Sequence, residues 1–234
     1  MGTFKIDLEL EREKNPEHAK ILQRFFKTGP GEYGEGDVFF GIKVPVVRKI
    51  AKGFIDLDIF DVEKLLKSKV HEKRLVGILI LIEKYKSFDE SGKKQIFEFY
   101  LNNSKYVNNW DLVDLSCPHI VGNYLLDKNR DILYELSKSD NLWERRISIV
   151  STFSFIRNNE FLDTLKICEL LLKDKHDLMH KACGWMLREV GKRNQTVLED
   201  FLKKHYKVMP RTMLRYAIER FPEELRLKYL KGLI

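Results

Sequence analysis

The stretch that decides the fold runs from Asn109 to Tyr124 and reads Asn-Trp-Asp-Leu-Val-Asp-Leu-Ser-Cys-Pro-His-Ile-Val-Gly-Asn-Tyr. Asparagine is a preferred N-cap, so we expect a helix that begins at Trp110. Trp110 and Asp114 are four residues apart, so a helix places them on one face, one turn apart. An indole face beside a carboxylate suits a cationic guest, because both groups attract positive charge. The alternative is a core tryptophan beside a capping or salt-bridged aspartate.

Apolar residues recur at helical spacing along most of the chain, and turn residues separate the segments. We expect helices that begin at Pro16 and Pro45, and a short helix capped by Asp61. Further helices are predicted at 71–85, 93–102, 110–125, 130–137, 143–156, 160–173, 178–192, 196–205, 211–219 and 223–230. No long stretch alternates between apolar and polar residues, so the sequence predicts an all-α fold.

One region does not fit a helix. The stretch from Thr28 to Gly41 holds five of the chain's 13 glycines. It is predicted to be a glycine-rich loop or a short hairpin. It has no Gly-Lys-Ser/Thr sequence, and its charged residues are acidic, so we exclude a phosphate-binding P-loop.

The helices repeat along the chain. Equivalent positions of successive long helices are spaced 36, 36, 35 and 34 residues apart. These positions are Arg74, Trp110, Arg146, Lys181 and Arg215. A period near 35 residues made of two helices is typical of an α-solenoid, and the absence of a TPR consensus favours HEAT-like repeats. We therefore predict a single HEAT-like α-solenoid domain over residues 1–234.

Four of the five equivalent positions are cationic, and Arg145 and Arg188 add charge on the same helices. The equivalents one turn later include Asp114 and Trp185. In a solenoid such positions lie on the concave side, and a basic, aromatic concave surface suits a nucleic-acid backbone. The alternative is that each cation pairs with an acidic residue of the preceding repeat. The net charge of +7 also suggests an acidic partner, although a basic surface without a partner would give the same composition.

The three cysteines are far apart in sequence and form no disulfide framework. The segment from Cys117 to His119 is too short for a zinc site, so no metal and no cofactor are expected. The longest apolar run, 75–82, is too short to span a bilayer, and the N-terminus has no signal pattern. We therefore expect a cytoplasmic protein that has no contact with a membrane.

Four segments together resemble the bacterial DNA alkylation repair family, the AlkD-like DNA glycosylases. They are Trp110–Asp114, Trp143–Arg146, Lys181–Glu189 and Phe40–Pro45. The resemblance covers nearly the whole chain. It implies a HEAT-like solenoid that binds double-stranded DNA. It also implies metal-free hydrolysis of the N-glycosidic bond of positively charged N3- or N7-alkylated purines.

By position, the resemblance implies that Asp114 is the catalytic carboxylate, that Trp110 and Trp185 contact the lesion-bearing nucleotide, and that Arg146 holds the DNA backbone. The other cations of the repeat are expected to contact DNA, namely Arg74, Arg145, Lys181, Arg188 and Arg215. Asp111 is the alternative carboxylate. On a helix it points about a third of a turn away from Trp110, toward a cap or solvent, so Asp114 is preferred.

The stretch 28–41 is longer than the corresponding passage in the archetype of the family. Two further interpretations therefore stay open beside that of a glycosylase. One is a non-catalytic relative that binds damaged or branched DNA, and the other is a protein-binding helical repeat. Lesion preference and oligomeric state do not follow from the sequence.

Overall fold

The computed structural model describes residues 2–234, and their contacts divide them into two compact units. The first unit ends at Ser116, and the second runs from Cys117 to Ile234. The single domain over residues 1–234 stays a prediction.

Helices account for most of the first unit. They are α1 (Gly2–Arg12), α2 (Pro16–Phe25), α3 (Val44–Lys52), α4 (Ile59–Leu66), α5 (His71–Ser87), α6 (Glu90–Asn102) and α7 (Trp110–Ser116). A single 3-10 turn, Ser104–Tyr106, precedes α7.

The second unit opens with a π-helical turn, Pro118–Gly122, and contains one 3-10 turn, Leu171–Lys173. Its helices are α8 (Asp131–Leu136), α9 (Leu142–Ser151), α10 (Phe153–Arg157), α11 (Leu162–Leu170), α12 (Asp177–Arg193), α13 (Gln195–His205), α14 (Arg211–Ala217) and α15 (Glu223–Lys231). No β-strand occurs between residues 2 and 234. The prediction of an all-α fold of the α-solenoid class is confirmed.

Each unit is organised around one long helix of 17 residues. In the first unit, α5 packs against α3, α4, α6 and α7, and its residues from Leu75 to Ile82 are all buried. In the second unit, α12 packs against α9, α10, α11, α13 and α14. The backbones of α12 and α14 approach so closely that a Cβ at Gly184 would lie 2.6 Å from the carbonyl oxygen of Met213. Only glycine allows this approach.

The predicted helix 110–125 is interrupted. α7 ends at Ser116, because Pro118 has no N–H with which to continue the helical hydrogen bonds. The π-helical turn follows, and in it the Gly122 N–H donates to the carbonyl oxygen of Cys117 at 2.8 Å.

The structure differs from the sequence prediction at three further helices. The helix 143–156 is divided at Thr152, whose hydroxyl donates to the carbonyl oxygen of Ile149 instead of pointing to solvent. Asp58, not Asp61, caps α4 by accepting a hydrogen bond from the Phe60 N–H. α1 was not predicted, because its buried face consists of only Ile6 and Leu10.

The region 28–41 is a glycine-rich loop and not a hairpin. It consists of turns, and its sole β-type contact is an isolated parallel bridge between Val38 and Val70. The buried carboxylate of Glu72, at the start of α5, accepts hydrogen bonds from three successive N–H groups of the chain that follows the turns. These belong to Phe40 at 2.9 Å, Gly41 at 2.8 Å and Ile42 at 3.2 Å. Glu72 therefore fastens the end of the loop to α5.

We expect Glu72→Gln to lower the free energy of unfolding by about 2 kcal/mol. The charge-assisted bonds to the loop would be lost, and the amide would place its own donors among buried N–H groups. Urea denaturation followed by circular dichroism measures the change. Glu17→Gln is the matched control, because Glu17 is exposed and pairs only with Lys20. Equal urea midpoints for the two variants would contradict the role of Glu72.

Candidate functional site

Trp110 and Asp114 lie one turn apart on α7, and both side chains are half-buried. The helix begins here because the Asn109 side chain accepts a hydrogen bond from the Trp110 N–H at 2.8 Å. Asn109 is fully buried, and its amide also donates to Asp37 of the loop at 3.4 Å. The glycine-rich loop thus helps to fix the position of the start of α7.

The Trp110 indole belongs to an aromatic stack formed by Phe25, Phe26, Phe39, His71 and Trp110. Its ring lies nearly parallel to Phe26, with centroids 5.3 Å apart, and Phe25 meets it edge-on at 5.9 Å. Phe26 stacks on Phe39 at 5.0 Å, and Phe39 stacks on His71 at 4.5 Å. The indole is therefore held in place by ring contacts from α2, the loop and α5.

A buried ionic cluster, made of Asp37, His71, Arg74 and Asp111, lies at the His71 end of this stack. His71 Nε2 lies 2.8 Å from Asp111 Oδ2, and Arg74 Nη2 donates to Asp37 Oδ2 at 2.5 Å. His71 Nδ1 lies 3.6 Å from the same oxygen of Asp37. The cluster joins the loop, α5 and α7 through charged contacts.

The carboxylates set the protonation of this cluster. Burial alone would lower the pKa of His71, but the charge and hydrogen bond of Asp111, together with Asp37, outweigh it and raise that pKa above its ordinary value. Burial alone would raise the pKa of Asp37, but the hydrogen bond with His71 and the charge of Arg74 lower it. Both shifts favour the charged forms.

The helical position of Asp111 suggests that its side chain points toward a cap or solvent. The structure differs from this expectation. Its carboxylate contacts His71 and borders a cavity of about 440 Å³. Phe26, Phe39 and His18 also line this cavity. Asp111 is therefore part of the ionic cluster.

Arg74, which is expected from the sequence to contact DNA, is buried. Its side chain is only 3% exposed, and its guanidinium donates to Asp37 and to the carbonyl oxygen of Ser68. The repeat register placed Arg74 among the cationic positions but gave no information about its partner. Arg74 holds the loop, so we assign it to that contact.

In the second unit, Trp185 is half-buried on α12 and contacts Phe153 at a centroid distance of 5.8 Å. Arg146, on α9, is 5% exposed and donates to the carbonyl oxygen of Leu178 at 2.7 Å. Arg146 therefore links α9 to the first turn of α12, and only a small part of its side chain reaches the surface.

Three other predicted DNA-binding residues form ion pairs. Arg145 Nε contacts Asp174 at 2.7 Å, and Lys181 contacts Asp177 at 2.7 Å. Arg188 pairs with Glu219 and Glu189. Arg215 is exposed, and within residues 2–234 it has no ion pair. The cations of the second unit are thus partly neutralised. Their partners lie on the same helix or later in the chain, and not in the preceding repeat, where the alternative interpretation of the sequence expected them.

Sequence reasoning missed the residues that hold Trp110, namely Phe26, Phe39, Asp37 and His71. In the sequence, the acidic residues of the loop indicate only that a phosphate-binding site is absent. Asp37 is not distinguished by anything in the local sequence from the other acidic residues of the loop, Glu32 and Glu35. Its partners Arg74 and Asn109 are 37 and 72 residues away in the sequence.

Two classes of feature are absent from the part of the chain that the structure describes. Residues 2–234 contain no group of three or more histidine, cysteine or acidic side chains arranged to hold a metal ion. None of their helices is both long and apolar enough to cross a membrane.

A solved structure with a similar fold is described as a "Predicted DNA alkylation repair enzyme from Enterococcus faecalis". The two are 18% identical in sequence, and the superposition covers 90% of this chain and 98% of the other, with a TM-score of 0.71. At this identity the similarity shows the fold alone. A comparison with curated protein sequences found no match.

The sequence profile of the family described as DNA alkylation repair enzyme matches residues 6–221. The match includes both units and every residue of the candidate site. Since it covers far more than half of the chain, the chain belongs to the DNA alkylation repair enzyme family.

Proposed function

We propose that this protein acts in DNA repair as a DNA glycosylase that hydrolyses the N-glycosidic bond of positively charged N3- or N7-alkylated purines. The observation that carries the proposal is the pair on α7. The half-buried Trp110 is supported by Phe26 and Phe25, and the Asp114 carboxylate follows one turn later. Family membership supports the repair role and DNA as the partner.

The pair suits the chemistry of a cationic leaving group. An alkylated purine carries a positive charge, and cleavage of its glycosidic bond passes through an oxocarbenium-like sugar. A carboxylate beside the sugar stabilises that cation and can orient the attacking water, and an indole face favours the cationic base. Asp114 is the proposed carboxylate, because it lies one turn from Trp110 on the same face of α7.

The second unit supplies residues suited to DNA contact. Trp185 offers a partly exposed ring. Arg146, which is 5% exposed, is proposed to hold the backbone near the lesion through the part of its side chain that reaches the surface. Lys181, whose side chain is 42% exposed, and Arg215 have charged groups that phosphates could reach directly. Arg145 and Arg188 would exchange part of their ion pairs for phosphate contacts.

The salt dependence of binding tests these contacts. Each phosphate contact contributes about 0.9 log units of affinity per log unit of salt concentration, because counterions are released. We expect Arg215→Ala to flatten the slope by about one such contact, as measured by fluorescence anisotropy with a duplex oligonucleotide. Arg226→Ala is the control, since Arg226 is also an arginine of the second unit but pairs locally with Glu223. If both variants keep the wild-type slope, Arg215 does not bind DNA.

Asp114→Asn tests the chemistry. The substitution keeps the shape of the side chain and removes its charge, so excision should slow by about two to three powers of ten, the usual effect of losing one electrostatic stabiliser. Binding to intact duplex should not weaken, because a negative charge near phosphates is removed. The measurement is single-turnover release of base from duplex that contains one N7-methylguanine. Asp127→Asn is the control, because Asp127 is exposed and contacts only Lys128.

The same assay separates the remaining alternatives. Equal excision rates for wild type and Asp114→Asn would remove Asp114 from the mechanism. Binding without excision by the wild type would favour a non-catalytic relative that recognises damaged or branched DNA. A complete lack of DNA binding would favour a protein-binding helical repeat.

A further inference from the structure

The first turn of α7 is held by two buried contacts from other elements. Asn109, which caps the helix, donates to Asp37 of the loop. Asp111, at the second helical position, is bound to His71 of α5 at 2.8 Å. Trp110 lies between these two residues in the sequence, so the placement of its backbone depends on both contacts.

The Trp110 ring is also connected to His71 through the aromatic stack. Phe39 lies against His71, Phe26 lies against Phe39, and Trp110 lies against Phe26, with the planes of each pair within 21° of parallel. Ring contacts at these distances transmit a displacement, because a packed interior leaves little free space. His71 thus reaches Trp110 by two routes, one through the backbone of α7 and one through stacked rings.

We propose that His71 is a positioning residue for the Trp110–Asp114 pair, and that its protonated imidazole, bound to Asp111, holds the first turn of α7 in place. The proposal rests on the proposed glycosylase function for its effect on excision. It does not depend on that function for its effect on the placement of Trp110.

The groups that face His71 determine how its proton acts. They are Asp111 from α7, Asp37 from the loop, and Arg74 from α5, whose Nη2 lies 3.4 Å from His71 Nδ1. The protonated ring makes a charge-assisted bond to Asp111. The neutral ring can still donate its Nε2–H to the Asp111 carboxylate, but the attraction between two opposite charges is lost. In the neutral state, Arg74 can donate to the free Nδ1.

The direction of the pH effect follows from the raised pKa of His71. Protonation stabilises the arrangement fully at pH values below the pKa of an unfolded histidine. This contribution is lost as the pH rises through the folded pKa. We therefore expect Trp110 to be best ordered on the acid side of the His71 titration and less well ordered on the alkaline side.

Fluorine NMR on protein labelled with 5-fluorotryptophan tests the placement directly. The chain has three tryptophans, so Trp110→Phe identifies the Trp110 signal by its loss. In the wild type this signal should shift with pH with a midpoint at the folded pKa of His71, and in His71→Gln the shift should vanish. In Asp111→Asn the midpoint should fall by about one unit or more, because the charge that raises the His71 pKa is removed.

His18→Gln is the matched control. His18 lines the same cavity but bonds to the carbonyl oxygen of Gly41 and not to α7, so the Trp110 midpoint should stay at its wild-type value. A Trp110 signal that is independent of pH in the wild type would overturn the proposal. A midpoint that moves in His18→Gln but not in Asp111→Asn would overturn it as well. Should His71→Gln fail to fold, the wild type and Asp111→Asn still decide the question.

The rate of base excision tests whether His71 also affects the reaction. The single-turnover rate of the wild type should fall about tenfold as the pH rises through the same midpoint, which corresponds to one pKa unit of differential interaction between the two protonation states of His71. Asp111→Asn should shift this fall to lower pH, while DNA affinity stays constant. If the Trp110 signal titrates as expected but the wild type excises no base, the glycosylase function fails and the positioning by His71 stands. If excision occurs with a flat pH profile, the positioning role in the reaction is refuted.

Discussion

The first unit depends on the buried carboxylate of Glu72. It accepts three hydrogen bonds from successive backbone N–H groups at residues 40–42, and no helix or strand supplies these donors with another partner. This contact fixes the end of the glycine-rich loop against the start of α5. Asp37 of the same loop can then reach Arg74 and Asn109, and Asn109 starts the helix that carries Trp110 and Asp114. The candidate site is therefore built on a loop that is held by a charge.

Charged residues form two kinds of contact, buried and partly exposed. The first turn of α5 buries His71, Glu72 and Arg74, and each finds a partner on the loop or on α7. A buried charge that loses its partner is strongly destabilising, so this arrangement favours the one geometry in which all the partners meet. In the second unit, pairs such as Lys181 with Asp177 stay partly exposed and can exchange partners. The buried charges at the start of α5 are thus suited to a fixed geometry, whereas partly exposed pairs occur in both units.

The sequence predicted the helices and the α-solenoid class because helical periodicity is a local property. It also placed Trp110 and Asp114 one turn apart, and the structure agrees. It failed where the outcome depends on residues distant in the chain, as in the contact between His71 and Asp111, which are 40 residues apart. Repeat register grouped Arg74 with the surface cations, but register does not reveal the acidic partner that buries it. The break in the predicted helix 110–125 has a local cause. Pro118 is visible in the sequence, but the prediction did not take account of the N–H that proline lacks.

The bonds between Glu72 and the loop have a consequence for hydrogen exchange. Amide protons outside regular secondary structure normally exchange quickly with solvent. Those of Phe40, Gly41 and Ile42 are donors to a carboxylate that is 2% exposed. They can exchange only when the loop separates from α5, which also releases Asp37 from Arg74 and Asn109. The protection of these three loop amides against exchange would therefore measure how often the glycine-rich loop, which helps to position Trp110, separates from α5.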